Sequence, residues 1–274
     1  MATIRSFIFR SSVGFAALAA SASIAGAAGD VTVAVVNGQL TITGDGADNS
    51  IIVAGTMQTN AYSVTSGDGT TTINGQVGPI TSGVANKEIF FEFVQGNDTV
   101  VVNNANFTRT VSATFGDAGG EFTLNNVVMN KNLRLTMGDG TNFVDFTDVQ
   151  VSEPSKITLG DGADLVSFQS SEYRGGIYTK DGDDIVTIVN SSHTDPKGKL
   201  SVKTGKGLDT LELTNANWEG KIAINCGPGD DSFEAGTIEV GLKVKVTGSA
   251  DTDTLTDNGG HTNGAPEFVA FELP

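Results

Sequence analysis

Cysteine is almost absent from this chain: Cys226 is the single one, so no internal disulfide can form. Stability must then come from a stacked core or from bound metal. Histidine is nearly as scarce, with only His193 and His261, and no nucleophile motif accompanies them. Positive charge is thin too, with 16 Lys and Arg against 32 Asp and Glu and a net charge of −16. That balance repels nucleic acid and anionic membranes and attracts cations. Beyond residue 28 no apolar run is long enough to cross a bilayer, which excludes a helical membrane span there. A sustained 3.6-residue period is also missing, and the 35 glycines punctuate the chain throughout, which argues against helices.

What is present begins with a leader. Arg5 and Arg10 give residues 1–28 a basic start, Val13 to Ala28 is an alanine-rich apolar run, and Ala25-Gly26-Ala27 offers a small-x-small cleavage site. This pattern predicts a secretory signal peptide of the bacterial Sec type, cut near Ala27 or Ala28. The expected location is secreted or at the cell surface. Val31–Val36 and Gln39–Thr43, separated by Asn37-Gly38, read as a two-residue hairpin. Residues 29–85 read as an irregular N-terminal β cap.

The dominant feature is a repeated turn, Gly-Asp-Gly-x-Asp followed by apolar residues, spaced by about 22 residues. Its clearest copies are Gly44 to Asp48, Gly160 to Asp164 and Asp181 to Asp184. Weaker copies lie at Gly67-Asp68-Gly69, Gly96-Asn97-Asp98, Gly138 to Asn142, Gly205 to Asp209 and Gly227 to Asp231. A repeat of this length marks a solenoid, each repeat being one coil that must stack on the next.

Aligned on the turns, the sequence falls into columns. Phe91, Ala113, Leu135, Ile157, Ile177, Val202, Ile224 and Val246 precede the turn. Val100, Phe122, Val144, Val166, Val186, Leu211, Phe233 and Leu255 follow it. Alternate residues are mostly polar, the signature of strands with one buried face. Phe107, Met129, Val151, Tyr173, His193, Trp218 and Val240 suggest a third, weaker side. Between the second and third sides runs Asn104, Asn126, Asp148, Ser170, Asn190, Asn215 and Thr237, whose stacked side chains can hydrogen-bond from coil to coil. The expected fold is all-β: a right-handed parallel β-helix or solenoid over residues 86–257, with the irregular N-terminal cap before it and a C-terminal cap over 258–274. Cys226 occupies a position filled elsewhere by Phe93, Phe115, Met137 and Leu159, so it reads as a small buried hydrophobe.

Stacked coils lie about 4.8 Å apart. Two carboxylates at that spacing repel by about 0.9 kcal/mol in water and about 3.5 kcal/mol at an effective dielectric of 20. A column of aspartates therefore either serves only as turn formers or invites a counter-ion. Carboxylate and glycine carbonyl oxygens are hard ligands that suit calcium better than the stricter magnesium.

Gly160-Asp161-Gly162-Ala163-Asp164-Leu165-Val166-Ser167 resembles the hemolysin-type (RTX) calcium-binding repeat from its second glycine onward, and the copies after Asp181, Gly205 and Gly227 are similar. That resemblance implies calcium held between coils by turn carbonyls and by Asp48, Asp98, Asp164, Asp184, Asp209 and Asp231, with Asp253 weaker. Asp139, Asp161 and Asp181 would be supporting ligands. The chain departs from the family in carrying one motif per coil, so at most one edge could hold ions. Gly120 and Asn142 replace the aspartate in two coils, and Lys206 enters a third.

The expected function is a secreted, calcium-binding, non-catalytic solenoid with a structural, adhesive or matrix role. Its expected partners are calcium and polysaccharide or cell-surface components, with no nucleic acid. The alternative is a calcium-dependent polysaccharide lyase or hydrolase of the parallel β-helix type. For that chemistry Arg109, Lys131 and Arg174 are the basic candidates, and the repeat is broken most clearly at His193, Thr194, Asp195 and Lys197.

Overall fold

A computed structural model describes residues 29–249, 251–262 and 266–271. The expected signal peptide, residues 1–28, lies outside them, as do residues 263–265 and 272–274 of the C-terminal segment. The described chain is all β, a solenoid of about 8 turns with a period of about 22 residues. No helix among the described residues is long and apolar enough to cross a membrane.

Each coil runs along a first wall, through the aspartate turn, along a second wall, round a corner and along a short third wall. Two twelve-stranded sheets form the first and second walls, and a three-stranded sheet continues the third. In the first wall, Val111–Phe115, Leu133–Thr136, Ser155–Thr158, Gly175–Tyr178, Lys199–Lys203, Lys221–Asn225 and Lys243–Thr247 pair in parallel, in that order. In the second wall the same parallel order joins Asp98–Asn103, Gly120–Met129, Asn142–Val151, Leu165–Gln169, Ile185–Val189, Thr210–Thr214, Ser232–Ala235 and Thr254–Asp257. The registers set Ala113 beside Leu135, Ile177 beside Val202, Val144 beside Val166 and Leu211 beside Phe233, so the apolar columns read from the sequence stack as expected. Alternation buries one face: Lys199–Lys203 runs exposed, buried, intermediate, buried, exposed.

The core between the walls is a stack of apolar side chains that continues from coil to coil. Phe146 lies on Phe168 with ring centroids 4.8 Å apart and planes 4° from parallel, and Phe93 lies on Phe115 at 5.6 Å. Tyr173, Trp218 and His193 are buried on the third wall, where Ser192–His193, Ala216–Trp218 and Ile238–Val240 pair in parallel. Cys226 is fully buried, and burial pushes its thiol pKa up, as a small hydrophobe in the core should behave.

The corner between the second and third walls explains the polar column. Asn104, Asn126, Asp148, Ser170, Asn190 and Asn215 all adopt φ between 50° and 54°. Asn and Asp tolerate this left-handed region because their short side chains bond locally. The amide ladder exists as well: Asn126 donates to Asn104 at 2.7 Å and Asn215 to Asn190 at 3.0 Å.

At the N-terminal end the hairpin is present, Asp30–Val36 pairing antiparallel with Gln39–Gly44 across Asn37 (φ 51°) and Gly38 (φ 81°). A second antiparallel pair, Ser50–Gly55 with Tyr62–Ser66, was not legible as such. The Gly67-Asp68-Gly69 copy belongs to this irregular part. Asp68 Oδ1 accepts from the amides of Thr70 and Thr71, each at 2.8 Å, so it acts as a local turn former.

Candidate functional site: the aspartate edge

The turn between the first and second walls carries two acidic columns, an inner and an outer one. The inner position lies two residues before the first core residue of the second wall, as Asp98 does before Val100 and Asp231 before Phe233. It points the same way as the core residues two and four places on, so the pleat sends its side chain inward. Asp98, Asp164, Asp184, Asp209, Asp231 and Asp253 occupy it, and all are buried. In the first complete turn the inner residue is Asn49, also buried, whereas Asp48 is exposed and accepts the Asn97 amide at 2.8 Å. The sequence repeat aligns Asp48 with this column, and the structure sets it one residue out of register. Asn142 holds the inner position in its own coil and Gly120 leaves it vacant of a side chain. A Cβ on Gly120 would meet Phe115 Cδ1 at 2.8 Å, so an apolar plug interrupts the column there.

One hydrogen bond repeats along the column. Asp98 Oδ1 accepts the Asn49 amide at 2.8 Å. Asp164 accepts that of Asn142, Asp184 that of Asp164, Asp209 that of Asp184, Asp231 that of Asp209 and Asp253 that of Asp231, each at 2.9 Å. One carboxylate oxygen thus ties each coil to the one before it. The other oxygen, Oδ2 of Asp98, Asp164, Asp184, Asp209 and Asp231, is buried with no donor.

The asparagines show what belongs at that point. Asn142 Nδ2 donates to Gly138 O at 2.9 Å, Gly140 O at 2.7 Å and Asp164 Oδ1 at 2.9 Å. Asn49 Nδ2 likewise donates to Ala47 O and Asp98 Oδ1. The position is a cradle of acceptors that an N–H group satisfies. By the coil-to-coil register, the equivalent cradle at Asp164 is Gly160 O, Gly162 O and Asp184 Oδ1. There a carboxylate oxygen stands where the amide nitrogen would be. Acceptor facing acceptor in a buried site is unfavourable unless a proton or a cation lies between them. Desolvation accordingly raises the pKa of Asp98 and Asp184 to about 6 and of Asp164 and Asp231 to about 7, and raises that of Asp209, with neighbouring aspartates adding to the effect.

The glycines of the turn are needed for close approach as much as for dihedral freedom. A Cβ on Gly162 would fall 2.5 Å from Gly140 O, and one on Gly182 (φ 151°) would fall 2.2 Å from Gly162 O. Stacked turn carbonyls fill the space that a side chain would take.

The outer column is exposed and already partnered. Lys180 Nζ lies 3.7 Å from Asp139 and 3.9 Å from Asp161. Lys206 Nζ lies 2.6 Å from Asp181, and this hydrogen bond lowers the Asp181 pKa. Asp139, Asp161 and Asp181 are therefore at the mouth of the turn, while Asp98, Asp164, Asp184, Asp209 and Asp231 are inside it. Among the described residues no three His, Cys, Asp or Glu side chains converge as a metal-ligating group, so an ion on this edge would draw most of its oxygen shell from backbone carbonyls and water.

At the insertion that breaks the repeat, Arg174 is paired with Asp195 and with Glu153 (3.4 Å), and it donates to Ser152 O at 2.9 Å. His193 is buried 3.5 Å from Glu172, and burial, with Arg174 nearby, lowers its pKa. These groups hold the long coil against its neighbours. Comparison with protein-family models, curated proteins and solved structures finds no match to this chain.

Proposed function

We propose that this chain is a secreted, non-catalytic β-solenoid with a structural, adhesive or matrix role, whose coils are locked by calcium on the aspartate edge. The observation that carries this reading is the set of buried, donorless Oδ2 atoms of Asp98, Asp164, Asp184, Asp209 and Asp231, at the position where Asn142 meets two turn carbonyls. Asp98, Asp164, Asp184, Asp209 and Asp231 would hold the ions with the glycine-turn carbonyls, and Asp139, Asp161 and Asp181 would add negative charge at the mouth. A bound divalent ion supplies the positive charge that lets these acids stay ionised while buried. Because the unfolded chain has no such site, binding free energy becomes folding free energy. The acids themselves anchor the coils through Oδ1.

The raised pKa values favour one further reading, in which protons rather than ions fill the acceptor cradles. Thermal unfolding of residues 29–274 at pH 8, followed by circular dichroism, separates the two. The calcium reading expects a melting temperature raised by calcium, unmoved by magnesium and lowered by a calcium-selective chelator. A melt indifferent to all three, yet rising on acidification, would leave the proton reading in its place.

A further inference from the structure

The positive charge of this acidic molecule is gathered on one surface. From Leu133–Thr136 to Lys243–Thr247, every charged residue on the outward face of the first wall is basic. The register lines up Lys199, Lys221 and Lys243 in successive coils, with Arg174 next in the same row. A second row holds Tyr178, Lys203 and Asn225, and between the rows Gly176, Ser201 and Ala223 form a low floor. Two shallow depressions of about 210 and 190 Å³ lie along this trough, sharing Lys199 and Ser201.

Like charges stacked directly opposite each other on parallel strands are destabilising. Among the described residues Lys199, Lys203 and Lys221 have no ion-pair partner, whereas the ends of the row meet acids, Arg174 pairing with Asp195 and Glu153 and Lys243 with Glu267. An exposed, uncompensated row of this kind is complementary to an anion that repeats along the solenoid axis. The outer aspartates of a second copy are poor candidates, since Asp139, Asp161 and Asp181 already have lysine partners and Asp48 and Asp183 accept backbone amides.

We infer that this trough binds a linear acidic polysaccharide lying along the solenoid axis. The ammonium groups recur about every 4.8 Å, the strand spacing and close to the length of one sugar ring in a uronic-acid chain. Phosphates follow at about 3.4 Å per strand of duplex DNA, which does not match the row. Single-stranded nucleic acid needs a series of aromatic platforms, and this face carries Tyr178 alone, its ring already under Lys156 Nζ at 5.3 Å. The remaining acidity of the molecule does not forbid the contact, because charges beyond about 8 Å are screened at physiological salt. The inference names a partner for the adhesive reading above and does not depend on whether the other edge binds calcium.

The test is calorimetric titration of the full chain with short oligogalacturonates, with dextran and single-stranded DNA of similar length as comparators. It is run in calcium buffer, so that the result of the chelator melt does not decide it. Binding of oligogalacturonate alone, weakened about tenfold or more by Lys199→Gln/Lys203→Gln/Lys221→Gln and by raised salt, is the expected result. Lys87→Gln/Lys180→Gln/Lys206→Gln makes the same charge change on exposed residues outside the trough and should leave the affinity within about twofold. Circular dichroism melts check that both variants stay folded. No binding, equal losses in the two variants, preference for DNA, or a salt-sensitive self-association lost in the first variant would each overturn the assignment.

Discussion

Asp184 differs from Asn142 by one atom type, and that difference carries the chemistry of the edge. Both side chains sit in the same buried position, but Asn142 brings an N–H to the carbonyl cradle and Asp184 brings a bare oxygen. Relieving one donorless buried oxygen is worth about 1–3 kcal/mol. Asp184→Asn should therefore raise the melting temperature in chelator and shrink the calcium-dependent increment. A variant that melts lower than the parent in chelator would mean that the Oδ2 atom is satisfied in solution. At the turn glycines the prediction runs the other way. Gly182→Ala pushes a methyl group onto the Gly162 carbonyl, with 2.2 Å available, and should destabilise by several times the ~1 kcal/mol advantage alanine gains over glycine in unstrained backbone.

Strands of four or five residues are too short to hold a side chain in place by themselves, so the walls depend on coil-to-coil contacts. Phe168 touches Phe146 in the coil before it and Tyr173 at 4.9 Å in its own. Phe168→Ala should cost about 3–5 kcal/mol, the usual range for emptying an aromatic site in a packed core. Urea unfolding measures it, and a loss below about 1 kcal/mol would mean that the stack closes over the gap. At the corner, Asn190 (φ 51°) separates two strands by a backbone turn that a β-branched residue resists. Asn190→Gly should be nearly neutral in urea unfolding, whereas Asn190→Val should be destabilising by roughly 1–2 kcal/mol. Equal effects from the two would show that the ladder to Asn215, and not the dihedral, sets the preference.

Asp164, Asp184, Asp209 and Asp231 titrate as a coupled set, since each is tied to the next through one amide, while Asp98 lies beyond the interruption at Gly120. The folded pKa values of about 6 to 7 lie above the ordinary aspartate value of 3.8. The folded chain therefore binds more protons than the unfolded one between those limits. Stabilisation from this source is complete below the unfolded pKa and is lost as pH rises through 6 to 7. In chelator the melting temperature should thus fall between pH 5 and pH 8, and calcium should flatten that fall by keeping the acids ionised at both ends. A flat profile in chelator, or one that climbs with pH, would show that the inner carboxylates are hydrated.

Much of this was legible in the sequence because a solenoid repeats its local rules. A 22-residue period with alternating burial places Val166, Phe168 and their counterparts in columns before any coordinate is known, and the Asn corner and the Asn37-Gly38 hairpin announce themselves by residue type. The irregular N-terminal region was less legible, since its antiparallel pairing at Ser50–Gly55 follows no repeat. Only the tertiary structure decided which member of each acidic turn faces inward. The choice of Asn49 over Asp48 is a one-residue register matter, and in a pleated strand one residue moves a side chain from solvent to core. The lysine row on the first wall was likewise invisible along the chain. Lys199, Lys221 and Lys243 are unremarkable at 22 residues apart and become one surface only when parallel pairing sets them side by side.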